Sequence, residues 1–175
     1  MFSFVRRVVG AAALRPAIYE EVEADLDGTP QALLVVLLAS AATGSGWTGL
    51  SGDRIWTTVV LAVVAVAAWV AWATMTYLIG THLMPEGQTQ ADTGQLLRTL
   101  GFAQAPPIMN VLAGVAGPVV LGVTFVWTLA TMVMAVRQAL DYTSTARAIG
   151  VCVAGWLLAL VMFGLIGVFF GAPVS

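Results

Sequence analysis

The sequence predicts an all-α fold, a polytopic membrane helical bundle with five transmembrane helices and an amino-terminal amphipathic interfacial helix. Composition is the first reason: 59% of the 175 residues are hydrophobic and 9% are charged, whereas soluble domains carry about 25% charged residues. Pattern is the second, because the apolar residues form runs long enough to cross a bilayer core, which takes about 20 helical residues. These runs cover residues 32–50, 55–80, 96–113, 118–136 and 148–170.

The first thirty residues are predicted to form a cytoplasmic and interfacial segment that precedes a five-span domain over residues 31–175. Within residues 1–14 the apolar side chains recur at helical spacing on one side, while Arg6 and Arg7 fall on the other. This pattern is typical of a helix lying in the membrane interface, with Phe2 and the Arg pair as contacts to the membrane surface. The alternative interpretation is a helix packed against the bundle.

An acidic stretch follows, with five carboxylates between residues 20 and 27. Capture of a divalent cation and docking of a basic partner are its functional interpretations. Calcium sites combine carboxylates with Asn, Gly and carbonyl ligands at loop spacing, which this stretch lacks. The sequence therefore favours a solvated cytoplasmic surface, and it leaves the role of the stretch open.

The arginines indicate the orientation of the five runs. If the amino end is cytoplasmic and all five runs cross, six of the seven arginines fall inside and only Arg54 falls outside. Short cytoplasmic segments of multi-pass proteins are rich in positive residues. The sequence thus predicts a cytoplasmic amino terminus and a carboxyl terminus on the other side of the membrane.

The third run is the weakest of the five spans, because polar and helix-breaking residues lie inside it. Pro106 and Pro107 lack a backbone N–H, so the carbonyls four residues before them lose their usual helical donors. The side chains of Gln104 and Asn110 are candidates to satisfy those carbonyls. The run is either a kinked span or a re-entrant pair, and the arginine distribution favours the span.

Charged residues at the edges of the spans are candidates for function, because such residues are rare in lipid. Arg98 lies about one turn inside the third run, and Asp141 is its predicted partner, with a lipid phosphate as the alternative. Arg137 lies four residues before Asp141, so helical register predicts a second contact there, a structural clasp between the fourth and fifth runs. The candidate polar cluster comprises Arg98, Gln104, Pro106, Pro107, Asn110, Arg137, Asp141 and Arg147.

Few side chains are available for catalysis or for a cofactor. A single Cys and a single His argue against a disulfide framework, a structural zinc site and most nucleophile–base pairs. The net charge of −2 offers no basic surface to nucleic acid. Because the runs contain no Ser–His or paired-Asp arrangement, we predict a protein that is not an enzyme and uses no cofactor or metal.

Four blocks of the chain resemble, in order and spacing, the Yip (Ypt/Rab-interacting protein) family of five-span membrane proteins, specifically its bacterial branch. The blocks are RPAIYEEVEADLDGTP from Arg15, TYLIGTHLMPEGQ from Thr76, LLRTLGFAQAPP from Leu96 and MVMAVRQALDYTST from Met132. The resemblance extends from Arg15 to Leu165. It implies five spans and a cytoplasmic amino end, in agreement with the arginine distribution.

Eukaryotic members of that family bind Rab-type GTPases during vesicle traffic. A chain without Lys and rich in Ala and Val is typical of a GC-rich bacterium, so that role is not transferred. The resemblance implies instead a scaffold or partner-binding protein of the bacterial cytoplasmic membrane, with a periplasmic carboxyl terminus. Its expected partners are membrane lipids and other integral membrane proteins or a second copy, met through small residues and Trp on the spans.

A small transporter or channel is the alternative function. A kinked span that carries Arg98, Gln104 and Asn110 resembles the discontinuous helices from which transporters build midplane sites. Against transport, the chain shows no inverted repeat and no buried acid for proton relay. The scaffold hypothesis predicts a helical partner in fixed stoichiometry, and the transporter hypothesis predicts a polar cavity that reaches the midplane.

Overall fold

The computed structural model describes residues 2–47, 54–87, 89 and 91–170, which form helices joined by short turns. The α-helices are α1 (Phe2–Ala12), α2 (Pro16–Ala24), α3 (Thr29–Trp47), α4 (Arg54–Leu78), α5 (Thr93–Phe102), α6 (Ala113–Ala116), α7 (Val119–Ala139) and α8 (Thr145–Phe170). A π-helical turn, Ile79–Leu83, extends α4, and 3₁₀ helices occupy Leu26–Gly28 and Pro106–Leu112. Residues 48–50, the end of the first predicted run, lie outside the described residues.

Three helical stretches within the described ranges are long and apolar enough to cross a membrane. They are Leu26–Gly44, Ala62–Leu83 and Val119–Ala139, with 19, 22 and 21 residues, and α8 adds the shorter apolar stretch Thr145–Val161. Large apolar side chains also cover the outside of the bundle, where Val63 and Val126 are 64% and 66% exposed. The predicted all-α fold is confirmed, and these apolar helices are typical of a membrane bundle. The number of five spans stays a prediction.

The third predicted run is broken into three pieces. Helix α5 ends at Phe102, a turn follows, and the chain continues as a 3₁₀ helix from Pro106 and then as α6. Since both prolines lack an N–H, the carbonyls before them find other donors. The Phe102 carbonyl accepts from the Ala105 N–H at 3.0 Å, and the Ala103 carbonyl accepts from the Thr131 hydroxyl of α7 at 2.7 Å. The predicted donors, Gln104 and Asn110, do not serve either carbonyl.

This broken segment, residues 93–116, is called the kinked segment below, and it keeps one direction beside α3. Near its start, a Cβ placed on Gly101 would lie 2.7 Å from the Cβ of Ala32, early in α3. Nine residues later, Asn110 bonds Thr43 near the other end of α3. The path along α3 is therefore that of a kinked helix, and the close approach at Gly101 explains why a glycine stands there.

Helices α1 and α2, called the cap below, pack onto the bundle and share its buried core. The indole N–H of Trp127 on α7 donates to the Ala12 carbonyl at 2.7 Å, and the ring of Phe4 lies 6.4 Å from that of Phe102. Tyr19 is fully buried, and its hydroxyl donates to the Ala11 carbonyl at 3.0 Å. These contacts hold the cap at the end of the bundle where α3 begins.

Helix α1 has two distinct faces. Arg7, Gly10 and Ala11 are buried against the rest of the protein, whereas Phe2 is 97% exposed, and Val5 and Val9 are exposed with it. One face therefore packs on the bundle, as in the alternative interpretation of the sequence, and an apolar stripe faces away from it. Contact of that stripe with the membrane interface stays a prediction.

Candidate functional site

Arg98 is buried where α5 crosses the end of α2. Its Nε donates to the carbonyls of Val22 and Glu23 at 3.1 Å each, and Nη2 donates to the Glu23 carbonyl at 2.5 Å. The last carbonyls of a helix lack intrahelical donors and carry the negative end of its dipole, so a guanidinium there stabilises the helix. The predicted pairing with Asp141 is wrong, because the backbone of α2 takes the donors of Arg98.

Arg7 also differs from its prediction as a membrane-surface contact. It is buried, its Nε donates to Glu21 at 2.9 Å, and its Nη1 donates to Asp25 at 2.6 Å. Arg6, which is largely exposed, donates to both carboxylate oxygens of Glu21 at 2.6 and 2.7 Å. Glu21 and Asp25 hold the guanidinium of Arg7 inside the protein, whereas Arg6 stays exposed. Of the three predicted surface contacts, Phe2 is the one fully exposed.

These ion pairs set the protonation of the acids in the cap. The hydrogen bond from Arg7 is the main cause that holds the pKa of Glu21, and likewise that of Asp25, below its ordinary value. Glu20 accepts a hydrogen bond from the side chain of Gln138 on α7 at 2.9 Å. Glu21 and Asp25 therefore hold α1 and α2 together, and Glu20 joins the cap to α7, which neither functional interpretation of the sequence anticipated.

Glu23 behaves differently from its neighbours. Its pKa is raised to about 7, chiefly because partial burial disfavours the carboxylate. The negative charge of Asp141 raises this pKa further, and the positive charge of Arg98 acts against the rise. The charge of the cap beside α5 therefore changes near neutral pH.

The predicted clasp between Arg137 and Asp141 does not form. Helix α7 ends at Ala139, and Asp141 adopts a left-handed backbone with φ 51°, so the i, i+4 register does not extend to it. Arg137 instead donates to the carbonyls of Tyr142 and Thr143 at 3.3 and 3.5 Å. The guanidinium holds the backbone of the turn between α7 and α8.

A clasp exists nearby with other partners. Glu86, in the segment after the π-helical turn, accepts from the N–H and the hydroxyl of Thr143 at 3.0 and 2.9 Å. Arg147 donates to the Pro85 carbonyl at 2.8 Å, and its Nε lies 3.5 Å from Glu86.

A second set of contacts comes from Tyr142, whose hydroxyl lies 3.0 Å from the Gly80 carbonyl and 2.7 Å from the Met84 carbonyl. These contacts tie the end of α4 to the start of α8.

A cavity of about 820 Å³ lies between α3, α4, α7, α8 and the kinked segment. Helices α4 and α8 contribute apolar and aromatic side chains to it. Polar side chains come from α3, the kinked segment and α7: Ser40, Thr43, Gln104, Asn110, Thr124 and Thr128. None of the described residues that line it is charged.

Asn110 is the centre of a hydrogen-bond network at the edge of this cavity. Its Nδ2 donates to the Thr43 hydroxyl at 2.9 Å, and its Oδ1 accepts from the Thr124 hydroxyl at 2.5 Å. The network joins α3, the 3₁₀ helix and α7 and satisfies both ends of the amide. Gln104 lines the same cavity, and its side-chain amide has no partner among the described residues.

Several residues of this site were missed by the sequence reasoning. Thr124, Thr128 and Thr131 recur at i, i+4 and i+7, which places three hydroxyls on one face of α7. That spacing was a usable signal for a polar seam within an apolar run. Thr43 offered none, because a lone Thr in a helix usually bonds its own backbone, as Thr43 also does to Ala39 at 2.8 Å.

Within the described ranges, no group of three or more His, Cys, Asp or Glu side chains is placed to hold a metal ion. Cys152 is buried in α8 and His82 bonds the neighbouring Thr81 hydroxyl at 2.7 Å. The chemistry of the site is that of hydrogen bonds and ion pairs between helices.

Comparison with known proteins gives one match. A family model described as the Yip1 domain matches residues 13–166, which include α2, the kinked segment and the cavity lining. No curated protein and no solved structure matches the chain.

Proposed function

The chain belongs to the Yip1 domain family, and from this we propose that it is a non-enzymatic membrane scaffold that binds and stabilises other integral membrane proteins. The observation that carries the proposal is the use of the polar groups inside the bundle. Arg98, Asn110 and Thr131 each bond a neighbouring segment. The hydrogen bonds of these polar groups therefore hold helices together. This use is expected of a protein that functions through the surfaces it offers to partners.

The surfaces available to partners are the outward faces of the long helices. On α7, Val119, Val123 and Val126 are all more than half exposed. On α8, Val153, Leu157 and Leu160 form a second exposed apolar row. In a bilayer such faces contact lipid or another helix, so the proposed partners are membrane lipids and other membrane proteins or a second copy.

We further propose five membrane crossings in a bacterial cytoplasmic membrane, with the amino end cytoplasmic and the carboxyl end periplasmic. The kinked segment supports this topology because it follows the direction of α3 from Gly101 to Asn110. Six of the seven arginines then lie on the cytoplasmic side.

Site-specific photocrosslinking in native membranes tests the scaffold proposal. A photoreactive amino acid replaces Val63 on α4, Val126 on α7 or Leu157 on α8, all of them exposed. We expect at least one face to give a discrete protein adduct, whose partner also appears in fixed stoichiometry in the native mass of the complex purified in mild detergent. Lipid adducts alone from all three faces contradict the proposal.

A small transporter is the second candidate function, and the cavity beside the kink favours it. Because no charge lines the described part of that cavity, a transported solute is expected to be neutral. Flux into reconstituted vesicles that is lost in Asn110→Leu, at unchanged expression, supports transport. Absence of flux for a panel of neutral solutes argues against it.

A further inference from the structure

We infer that the cavity beside the kink binds a neutral lipid, with an aliphatic chain along α4 and α8 and a carbonyl or hydroxyl oxygen at the amide of Gln104. This inference goes beyond the proposed scaffold function and stands independently of it.

The size of the cavity suits a small ligand. Protein interiors are close-packed and contain few voids larger than a water molecule, because side chains beside a void lose their dispersion contacts. A space of about 820 Å³ falls within the range of ligand pockets, which is roughly 300–1,000 Å³. The cavity is partly open at the surface of the bundle, so molecules around the protein can enter it.

Water is a poor occupant for most of this space. A buried water needs two to four polar partners, and α4 and α8 offer side chains such as Ala65, Trp69 and Trp156. The polar groups of Thr43, Asn110 and Thr124 are already bonded to one another. An aliphatic chain fits the apolar side chains of this lining, where the buried indole N–H of Trp72 on α4 is a further donor without a partner among the described residues.

The side chain of Gln104 indicates which polar group the aliphatic ligand has. Its amide offers one acceptor and two donors, and it has no partner among the described residues. A neutral carbonyl oxygen accepts from its N–H, and a hydroxyl can also donate to its oxygen, whereas a charged group would find no counter-charge among the described lining residues. The ligand is therefore an uncharged amphiphile.

The depth of Gln104 excludes an ordinary phospholipid. The neighbouring Ala103 carbonyl bonds Thr131, which lies eight residues before the end of α7 at Ala139. At a rise of 1.5 Å per residue, this places Gln104 about 12 Å from the end of α7. In the proposed topology, in which α7 ends at the cytoplasmic face, that position lies within a hydrocarbon core about 30 Å thick. A phospholipid could bring its ester oxygens to that depth only by pulling its charged headgroup into hydrocarbon. Lipids without a charged headgroup, such as diacylglycerols or long-chain alcohols and ketones, reach it freely.

Photoaffinity labelling of the full chain in phosphatidylcholine vesicles tests this inference. One probe is a photoreactive diacylglycerol at trace level, and the other is phosphatidylcholine with the same photoreactive acyl chain. We expect the diacylglycerol probe to label peptides that line the cavity and to be displaced by unlabelled diacylglycerol. Cavity labelling by the phosphatidylcholine probe that is equal to that by diacylglycerol overturns the selectivity for an uncharged headgroup.

Two variants locate the labelling. Gln104→Leu removes the amide at similar volume, and it is expected to weaken diacylglycerol binding three- to tenfold, the effect of one net hydrogen bond. Ala65→Phe fills the cavity from α4 and is expected to abolish the displaceable labelling. Ala67→Phe, an exposed position on the same helix outside the cavity, is the matched control and is expected to label as the parent does.

Native size on gel filtration and an unchanged melting temperature qualify each variant, and if Ala65→Phe fails to fold, Gln104→Leu decides. Labelling that persists in a folded Ala65→Phe, or that Gln104→Leu leaves unchanged, overturns the inference. Recovery of a membrane-protein partner is scored separately, so failure of the scaffold proposal does not affect this result.

Discussion

Single side chains decide how the cap is held together and how it is joined to the bundle. Arg98 and Arg7 both reach α2, but they bind it differently: Arg98 holds the carbonyls at its end, and Arg7 holds the carboxylates of Glu21 and Asp25. A guanidinium that neutralises a helix end and one that pairs with carboxylates both stabilise the folded state. At this scale the protein offers two stability predictions.

Replacement of Arg98 by Met is expected to lower the free energy of unfolding by about 2–4 kcal/mol, because buried carbonyls lose a charged donor. Denaturant titration in mixed micelles, followed by circular dichroism, measures the change. Arg147→Met is the matched control: its side chain is 47% exposed, and we expect a loss below about 1 kcal/mol. Equal losses for the two variants would contradict the assigned role of Arg98.

Glu23 gives the protein a pH dependence of definite sign. Its pKa is raised from 4.5 to about 7 by burial, so the stability that its neutral form contributes is full below pH 4.5 and is lost as the pH rises through 7. Glu23→Gln stays neutral and is expected to match the parent protein near pH 4.5. At pH 8 we expect it to be more stable by about 1 kcal/mol, a figure discounted for partial exposure.

Glu21→Gln serves as the control of opposite sign. Because Arg7 lowers the pKa of Glu21, the stability contributed by this carboxylate is present at neutral pH and is lost as the pH falls. The variant is therefore expected to be less stable at pH 7 and to converge with the parent at acidic pH. Melting curves between pH 4 and 8 show both trends, and parallel curves for the two variants count against the account of Glu23.

Among the elements, the kinked segment and α1 depart furthest from regular membrane helices. The two prolines break α5, and the seam of threonines on α7 supplies the bonds that the break requires. Helix α1 is amphipathic in an unusual sense, since its arginine side faces the protein and its apolar stripe faces outward. Each feature has an expected consequence.

The carbonyl of Ala103 depends on one side chain. Thr131→Val keeps the shape of the residue but removes the donor, so we expect a loss of about 1–3 kcal/mol from an unsatisfied buried carbonyl. Thr128→Val is the matched control, since the Thr128 hydroxyl bonds only the carbonyl of Thr124 within its own helix. The same mixed-micelle titration compares them, and a loss in Thr128→Val as large as that in Thr131→Val speaks against the kink contact.

The exposed stripe of α1 is expected to lie in the membrane interface. In a Cys152→Ala background, a nitroxide at Val5 should be relaxed more by oxygen than by a water-soluble nickel reagent. A nitroxide at Glu20, on the exposed part of α2, should show the reverse. Equal oxygen and nickel accessibility at the two positions contradicts membrane contact by α1.

At the scale of the whole molecule, the positions of the cap and the kinked segment bear on the proposed membrane topology. The cap lies where α3 begins, and α6 forms the far end of the kinked segment. With five crossings these regions face opposite sides of the membrane. The proposed topology therefore predicts Asp27 in the cytoplasm and Val115 in the periplasm.

Cysteine labelling in intact cells tests that arrangement in the Cys152→Ala background. A membrane-impermeant maleimide is expected to label a cysteine at Val115, which is 93% exposed. A cysteine at Asp27 should react only after the membrane is opened. Labelling of both positions from the same side contradicts the kinked crossing and favours a re-entrant segment.

The two prolines in the sequence predicted the kink, but the sequence did not predict the hydrogen bonds around it. The effect of Pro106 and Pro107 on the helix can be predicted from the sequence, because the missing N–H belongs to the covalent structure of proline itself. The donor that serves Ala103 lies 28 residues away on α7. The contact between Asp141 and Arg137 was mispredicted for a related reason: the helix ends at Ala139, and a two-residue change in a helix end removes an i, i+4 pair.

The sequence by itself determined that this protein is a helical membrane bundle of the Yip1 domain family, because lipid selects for apolar content and for internally satisfied helices whatever the packing. Only the tertiary structure decided which carbonyls Arg98 holds, which acids Arg7 pairs with, and that a cavity opens beside Gln104. The apolar composition of a helix and the spacing of its apolar residues can be read from that one segment of sequence. Pairings between polar groups depend on how several helices meet, and this meeting gives Arg98 two backbone carbonyls but leaves the buried indole N–H of Trp72 without a partner among the described residues.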